Sequence, residues 1–262
     1  LPRFHHYLGI DYSGAGTPDD PLPGLCAYFA TVDSPPRKLK PASGRRWSRL
    51  AITQCVIDLL REKPNTIVGI DHGFSFPDRY FVHHGLPRDW NSFLLDFVSH
   101  WPSDRHALRI IRDGRAGAAA KRRGDPRWKR ACELACPSAK SVFLFDVNGT
   151  VAHSTHAGLS HLDRIRRELP DVHFWPFDGW NPPRGRSVVF EAYPRLYSAA
   201  YAQCARTGDE HDAYSITRWL RESDATSALQ RAFEPELTAK QRELGLHEGW
   251  ILGVRGSGKS LT

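Results

Sequence analysis

No stretch of this 262-residue chain is apolar over the 18 or so residues that a membrane-spanning helix needs, so no membrane association is expected. The opening residues, LPRFHHYLGIDYSG, lack the apolar core of a secretory signal and run almost at once into a strand pattern. Methionine is absent, even at the first position, so the start reads as trimmed. The five cysteines, Cys26, Cys55, Cys132, Cys136 and Cys204, are odd in number and irregular in spacing. That excludes a disulfide framework and points to a reducing, cytoplasmic setting. Cys132 and Cys136 stand four apart and His153 and His156 three apart, spacings that match no common zinc knuckle, so no structural zinc is expected. Internal repeats and linker-like stretches are also missing, which favours one domain over residues 1–262.

What is present is an ordinary globular composition with a basic surplus. Hydrophobic residues make up 40% and charged residues 25%, with 36 Lys and Arg against 29 Asp and Glu, a formal net charge of +7. The length suffices to bury a core without metals or disulfides. The surplus favours encounter with polyanions and says nothing about fold.

Hydrophobic periodicity alternates between strand and helix. Residues 8–10 form an apolar strand ending at Asp11, and residues 25–32 (LCAYFATV) a second that returns antiparallel to it. Leu50, Ile52, Val56, Leu59 and Leu60 mark a helix over residues 47–62. Residues 66–70 are almost wholly apolar, as in a strand buried on both faces, and end at Asp71. Further on, helices are expected at 89–101 with Asp89 as N-cap, at 159–169 and at 209–221. Strands are expected at 141–145, 172–177 and 186–190, the last delivering Glu191, and residues 249–254 add an edge strand.

The acids are placed by this pattern. Asp11, Asp71 and Glu191 each follow an apolar strand, and Asp212 sits on a late helix with Asp209 one turn earlier. Strand-end residues converge above an α/β sheet, where such folds bind ligands. Carboxylates gathered there repel one another unless a cation neutralises them. Two Mg²⁺ or Mn²⁺ ions about 3.5–4 Å apart would do so and would serve phosphodiester hydrolysis. The plainer reading makes each Asp a cap or turn residue, with Asp209 the N-cap of the last helix and Asp212 in its first turn.

Four segments in order, GIDYSGA, VGIDHGFSFP, VVFEAYP and DEHDAYSITRWL, resemble the family of predicted ribonuclease-H-like nucleases, a largely uncharacterised group related to resolvases. The resemblance spans about residues 8–220. It implies a ribonuclease-H-like mixed β-sheet with flanking helices, and the first, fourth and later strands presenting Asp11, Asp71 and Glu191. It also implies catalytic and metal-binding roles for Asp11, Asp71, Glu191 and Asp212, with Asp209 a further metal ligand. The chain departs from it in a basic insertion at about residues 104–140 and in His72, directly after the second acid. Two other readings stay open. One is a non-catalytic nucleic-acid-binding protein with a degenerate site. The other is an actin-like or sugar-kinase-type nucleotide-binding protein, since GIDYSGAGT somewhat resembles that superfamily's first phosphate loop.

Arg115, Lys121, Arg122, Arg123, Arg127, Lys129 and Arg130 form the densest basic cluster, with Trp128 among them as a base-stacking candidate, so the insertion is expected to hold nucleic acid from an exposed loop. His211, beside Asp212, either approaches the substrate or faces solvent. Residues 253–260 (GVRGSGKS) satisfy the P-loop spacing, yet only two residues follow. Without the helix whose N-terminus would face the phosphate, they read as a basic tail.

Overall fold

The computed structural model describes residues 2–147 and 151–256. Strand β1 (His6–Asp11) pairs antiparallel with β2 (Cys26–Thr31), which carries the short β3 (Arg37–Lys38) on its far edge. Helix α1 (Arg49–Glu62), capped by the Ser48 hydroxyl accepting from the Ala51 amide, crosses over to β4 (Thr66–Asp71), which lies parallel to β1. Short helices follow: α2 (Asp78–His84), α3 (Trp90–His100), α4 (Leu108–Arg112) and α5 (Ala131–Ala135), then the long α6 (Val151–Glu168). The chain re-enters the sheet as β5 (His173–Trp175) and β6 (Val188–Glu191) and ends in α7 (Gly208–Ala225), α8 (Ala228–Phe233) and α9 (Ala239–Glu248). The strand order is β3-β2-β1-β4-β6-β5, a mixed sheet with helices on both faces.

Side chains alternate between faces along a strand, so each central strand feeds two cores. Leu8, Ile10, Val68, Ile70 and Val189 point to one face, where Ile52 and Val56 of α1, Phe97 of α3 and Leu162 of α6 cover them. Tyr7, Ile67, Val188 and Phe190 point to the other, under Ile216 and Leu220 of α7. Helix α7 lies unusually close to the sheet because Gly9 and Gly69 sit beneath it. A Cβ on Gly9 would stand 2.5 Å from the Ala213 carbonyl oxygen, and one on Gly69 2.8 Å from the Ile216 Cγ2. The far end of α7 is tied down by Asp224, whose carboxylate accepts from the amides of Arg3 and Phe4 and from the Tyr7 hydroxyl at 2.8–3.0 Å.

Several expectations shift. Residues 141–145 form turns rather than a strand, with Ser141 donating to the Trp128 carbonyl and Val142 and Phe143 pressed into the core. Helix α6 starts at Val151, eight residues before the expected 159. Residues 249–254 contribute a single parallel bridge, Ile251 to Glu191. The N-cap of α7 is Thr207, not Asp209, and Glu210 completes its capping box. The insertion is folded, not a loose loop. Leu108, Ile111, Ala119 and Cys132 are all buried, which ties its turns to the body of the protein. Of residues 253–260, those after Gly256 lie outside the described residues. Among the described residues, no helix is long and apolar enough to cross a membrane.

Candidate active site

Asp11 and Asp71 are register partners at the ends of β1 and β4. Each lies two residues beyond the glycine under α7, so both carboxyls leave the sheet on the α7 face. Asp212 stands on α7 one turn before Ile216, the residue lying on Gly69, and so looks over the same strand ends. Asp209 is exposed one turn farther out and leans over Gly24, which belongs to the β1–β2 loop. The carboxyls of Asp11 and Asp71 are close enough to perturb each other's protonation. Burial, followed by repulsion from Asp71, Asp209 and Asp212, raises the Asp11 pKa well above the carboxylate range. Burial, Asp212 and Glu191 push Asp71 up to about 8. Asp212 is raised by burial and by Asp209, against an opposing pull from His211. The Tyr197 hydroxyl, buried without a hydrogen-bond partner, feels the charges of Asp71 and Asp212, and burial pushes its pKa far up.

Glu191 lines the same cleft as the aspartates and its charge reaches Asp71, but it leaves the sheet on the other face. Its backbone partner across the sheet is Ile70, so its side chain departs on the opposite side from Asp71. There Arg130 grips it with two hydrogen bonds of 2.6 Å, and the Phe74 amide donates at 3.0 Å. Arg130 also donates through Nε to Glu133 at 2.8 Å. Arg130, Glu133 and Glu191 are 1%, 1% and 3% exposed, so Arg130 is a buried counter-ion and not the surface phosphate contact expected from its basic run. Glu248 lies next to this network and accepts from the amides of Ala131 and Asp78 at 2.6 and 2.5 Å; burial pushes it up to about 6. Glu133, Glu248 and Tyr197 were not foreseen. The first sits inside a basic run, and only the apolar ACELA beginning at Ala131 hints that the chain turns inward there.

The remaining cations of the expected cluster are mostly engaged. Arg115 pairs with Asp113, Arg122 binds both oxygens of Asp96 at 2.7 Å, Arg127 pairs with Asp125, and Lys129 donates to the Ala139 carbonyl. Trp128 is half-buried, with Arg79 over its ring and His83 against its edge, so it offers no open stacking face. Lys121 and Arg123 are exposed. His211 bonds to the Ser198 carbonyl rather than reaching into the cleft. His72 is buried against Gly158 and Tyr12, shares a hydrogen bond with the Gly73 carbonyl, and is held neutral down to about 4 by burial. His156 lies in an aromatic cluster with Phe76, Trp101 and Phe145.

Asp11, Asp71 and Asp212 open into a cleft of about 730 Å³ whose walls include Ser13, Tyr193 and the backbone of the loop after β1. Among the described residues, no group of three or more His, Cys, Asp or Glu side chains stands ready-arranged around a metal position. The cleft gathers carboxyl oxygens beside a fixed guanidinium, with Asp71 retaining its proton to about 8 and Asp11 raised well above the ordinary carboxylate range. Such a site can exchange protons with a substrate. Against known proteins, no family model, curated protein or solved structure matches the chain.

Proposed function

We propose that this protein is a divalent-metal-dependent nuclease with a ribonuclease-H-like fold, hydrolysing nucleic-acid phosphodiester bonds at the cleft over β1 and β4. The observation that carries this reading is the register pairing of Asp11 with Asp71, two carboxyls crowded together in the cleft that Asp212 also lines. The antiparallel hairpin followed by parallel β4 and β6, with an acid at the end of β1, β4 and β6, supports the fold. The donor set suits Mg²⁺ or Mn²⁺, which take carboxylate oxygens. A divalent ion would be held by Asp11, Asp71 and Asp212, and it would displace the protons that crowding now retains there. When bound, it supplies Lewis acidity that activates water and offsets charge on the leaving oxygen.

One ion fits this chain better than two. Glu191 is already engaged by Arg130, whose single positive charge is shared with Glu133, so Glu191 is not free to serve a second ion. Ser13 and the loop backbone after Asp11 are placed to orient a phosphate, and the Tyr197 hydroxyl offers a donor beside Asp71 and Asp212. The same capture of Glu191 favours the second reading, a nucleic-acid-binding protein that does not cleave.

The two readings separate in one experiment. Calorimetric titration with Mg²⁺ and Mn²⁺ is run beside cleavage assays on single-stranded, duplex and branched DNA and RNA, with and without chelator. Metal binding near one ion per chain together with chelator-sensitive cleavage supports the nuclease. Nucleic-acid binding without cleavage assigns the protein to the second class.

A further inference from the structure

The acid cleft continues into a second groove of about 770 Å³, and the two share Gly14, Ala15 and His153. The loop after β1 makes the join. A Cβ on Gly14 would overlap the His153 backbone, so the loop lies directly on the start of α6. Beyond it, Arg109 and Arg112 on α4 line the second groove, both exposed. Arg112 rests over the Phe145 ring, and its only ion pair among the described residues is a 3.8 Å contact to the highly exposed Asp146, an interaction of small worth in water. Arg109 forms no ion pair among the described residues. Lys140 and Arg195 line the acid cleft but not the second groove, exposed and likewise without an ion pair among the described residues.

Unpaired or weakly paired cations therefore stand in both parts of the joined cleft, Lys140 and Arg195 in the part that holds the carboxyls and Arg109 and Arg112 in the second groove. In the dense basic run at residues 115–130, Arg122 and Arg130 are held by Asp96 and Glu191, and Arg115 and Arg127 pair with Asp113 and Asp125 close by in sequence, which leaves Lys121 and Arg123 without an ion pair among the described residues. A small anion would need only one cation pair. Two available cation pairs in joined grooves, one of them sharing its groove with the acids, suit a polyanion whose successive phosphates reach both while one bond crosses the acids.

We infer that a nucleic-acid strand binds along a track through both grooves, held by Lys140 and Arg195 in the acid cleft and by Arg109 and Arg112 in the second groove, and not by the cluster at residues 115–130. The inference rests on the nuclease reading only in placing the strand's scissile bond over Asp11 and Asp71. Binding itself needs no metal.

The test uses fluorescence anisotropy of labelled single-stranded 12-mer DNA and RNA in chelator, titrated across salt. The variants are the pairs Arg109→Ala with Arg112→Ala, Lys140→Ala with Arg195→Ala, and Lys121→Ala with Arg123→Ala. Each of the first two pairs should weaken binding by about 10-fold or more and reduce the magnitude of the salt slope by about 1.4, the share of two phosphate contacts to a single strand. The third pair should change affinity less than about twofold, and all three should bind Mg²⁺ as the parent does. An unchanged affinity and slope in either of the first two pairs overturns the track, as does an equal loss in the third. No oligonucleotide binding by the parent overturns it too, whatever the metal titration shows. Binding that obeys the pattern without any cleavage upholds the track and removes the nuclease.

Discussion

Gly9 and Gly69 are register partners across β1 and β4, and together they form the bare strip on which α7 rests. The two strands repeat a glycine two positions before an aspartate, so the device that lets the helix approach also sets Asp212 above Asp11 and Asp71. Packing and chemistry are linked through the absence of two side chains.

Gly9→Ala puts a methyl 2.5 Å from the Ala213 carbonyl, a backbone atom that cannot swing aside. The variant is expected to lose about 1–3 kcal/mol of stability, as for overpacked cores. It should also bind divalent metal more weakly, because α7 carries Asp212 away. Denaturant unfolding and calorimetry on the same preparation check this. Lost stability with parental metal affinity would separate Asp212 from the ion.

Asp11→Asn keeps the size of the side chain and removes its charge. Stability is expected to hold or rise, since repulsion from Asp71, Asp209 and Asp212 is relieved. Metal affinity should collapse and cleavage should fall on the order of 100-fold or more. Oligonucleotide binding in chelator should persist. Cleavage surviving both this change and chelation would exclude the proposed site.

The metal-free protein should become less stable between pH 6.5 and about 8. Asp71 keeps its proton to about 8 when folded and releases it near 3.8 when unfolded, so across that interval the folded state binds more protons and stability falls as pH rises. Asp11 acts in the same direction. Buried His72, His156 and His161 act oppositely, being held neutral down to about 4, 3 and 3, but their contribution is complete above 6.5. The fall should be on the order of 1 kcal/mol per pH unit for each such proton. Asp71→Asn or saturating Mg²⁺ should reduce it. Thermal unfolding at closely spaced pH values in chelator provides the readout, and a flat or rising parental profile would contradict the crowding of these acids.

Arg130→Ala should cost about 3–5 kcal/mol, because Glu133 and Glu191 would remain buried with no counter-charge. Adding Glu191→Gln should recover part of that loss. A double-mutant cycle by urea unfolding measures the coupling, and simple additivity would mean that the pair contributes nothing specific.

The sequence shows β1 and β4 plainly because each is a short apolar run stopped by an aspartate, and burial on both faces leaves little else for such runs to become. It shows α3 through Asp89, whose side chain caps the Ser92 amide. The face on which Glu191 emerges was beyond reach, since one residue of register, Ile70 rather than Asp71 opposite it, decides the matter. Residues 141–145 have strand composition but pair with no strand among the described residues, and their buried side chains fill the core from turns instead. The start of α7 was readable. Thr207 and Glu210 form the hydroxyl-x-x-acid pattern of a capping box, which the conspicuous acids at 209 and 212 obscured. Locally only Glu133 and the apolar ACELA mark Arg130 as the arginine that turns inward, and its second partner, Glu191, is 61 residues away.

The Asp224 clamp sets the order in which this chain becomes a protein. Arg3 and Asp224 are 221 positions apart, and the α7 face of the first strand has no cover until the helix ending near Asp224 has been made. During synthesis at about 5–20 residues per second, the central hairpin waits roughly 10 to 40 seconds with Tyr7 and its glycine strip uncovered. A nascent chain arrested before residue 208 should therefore depend on holdase chaperones and be readily cleaved by protease, and it should lose both traits once α7 has left the ribosome.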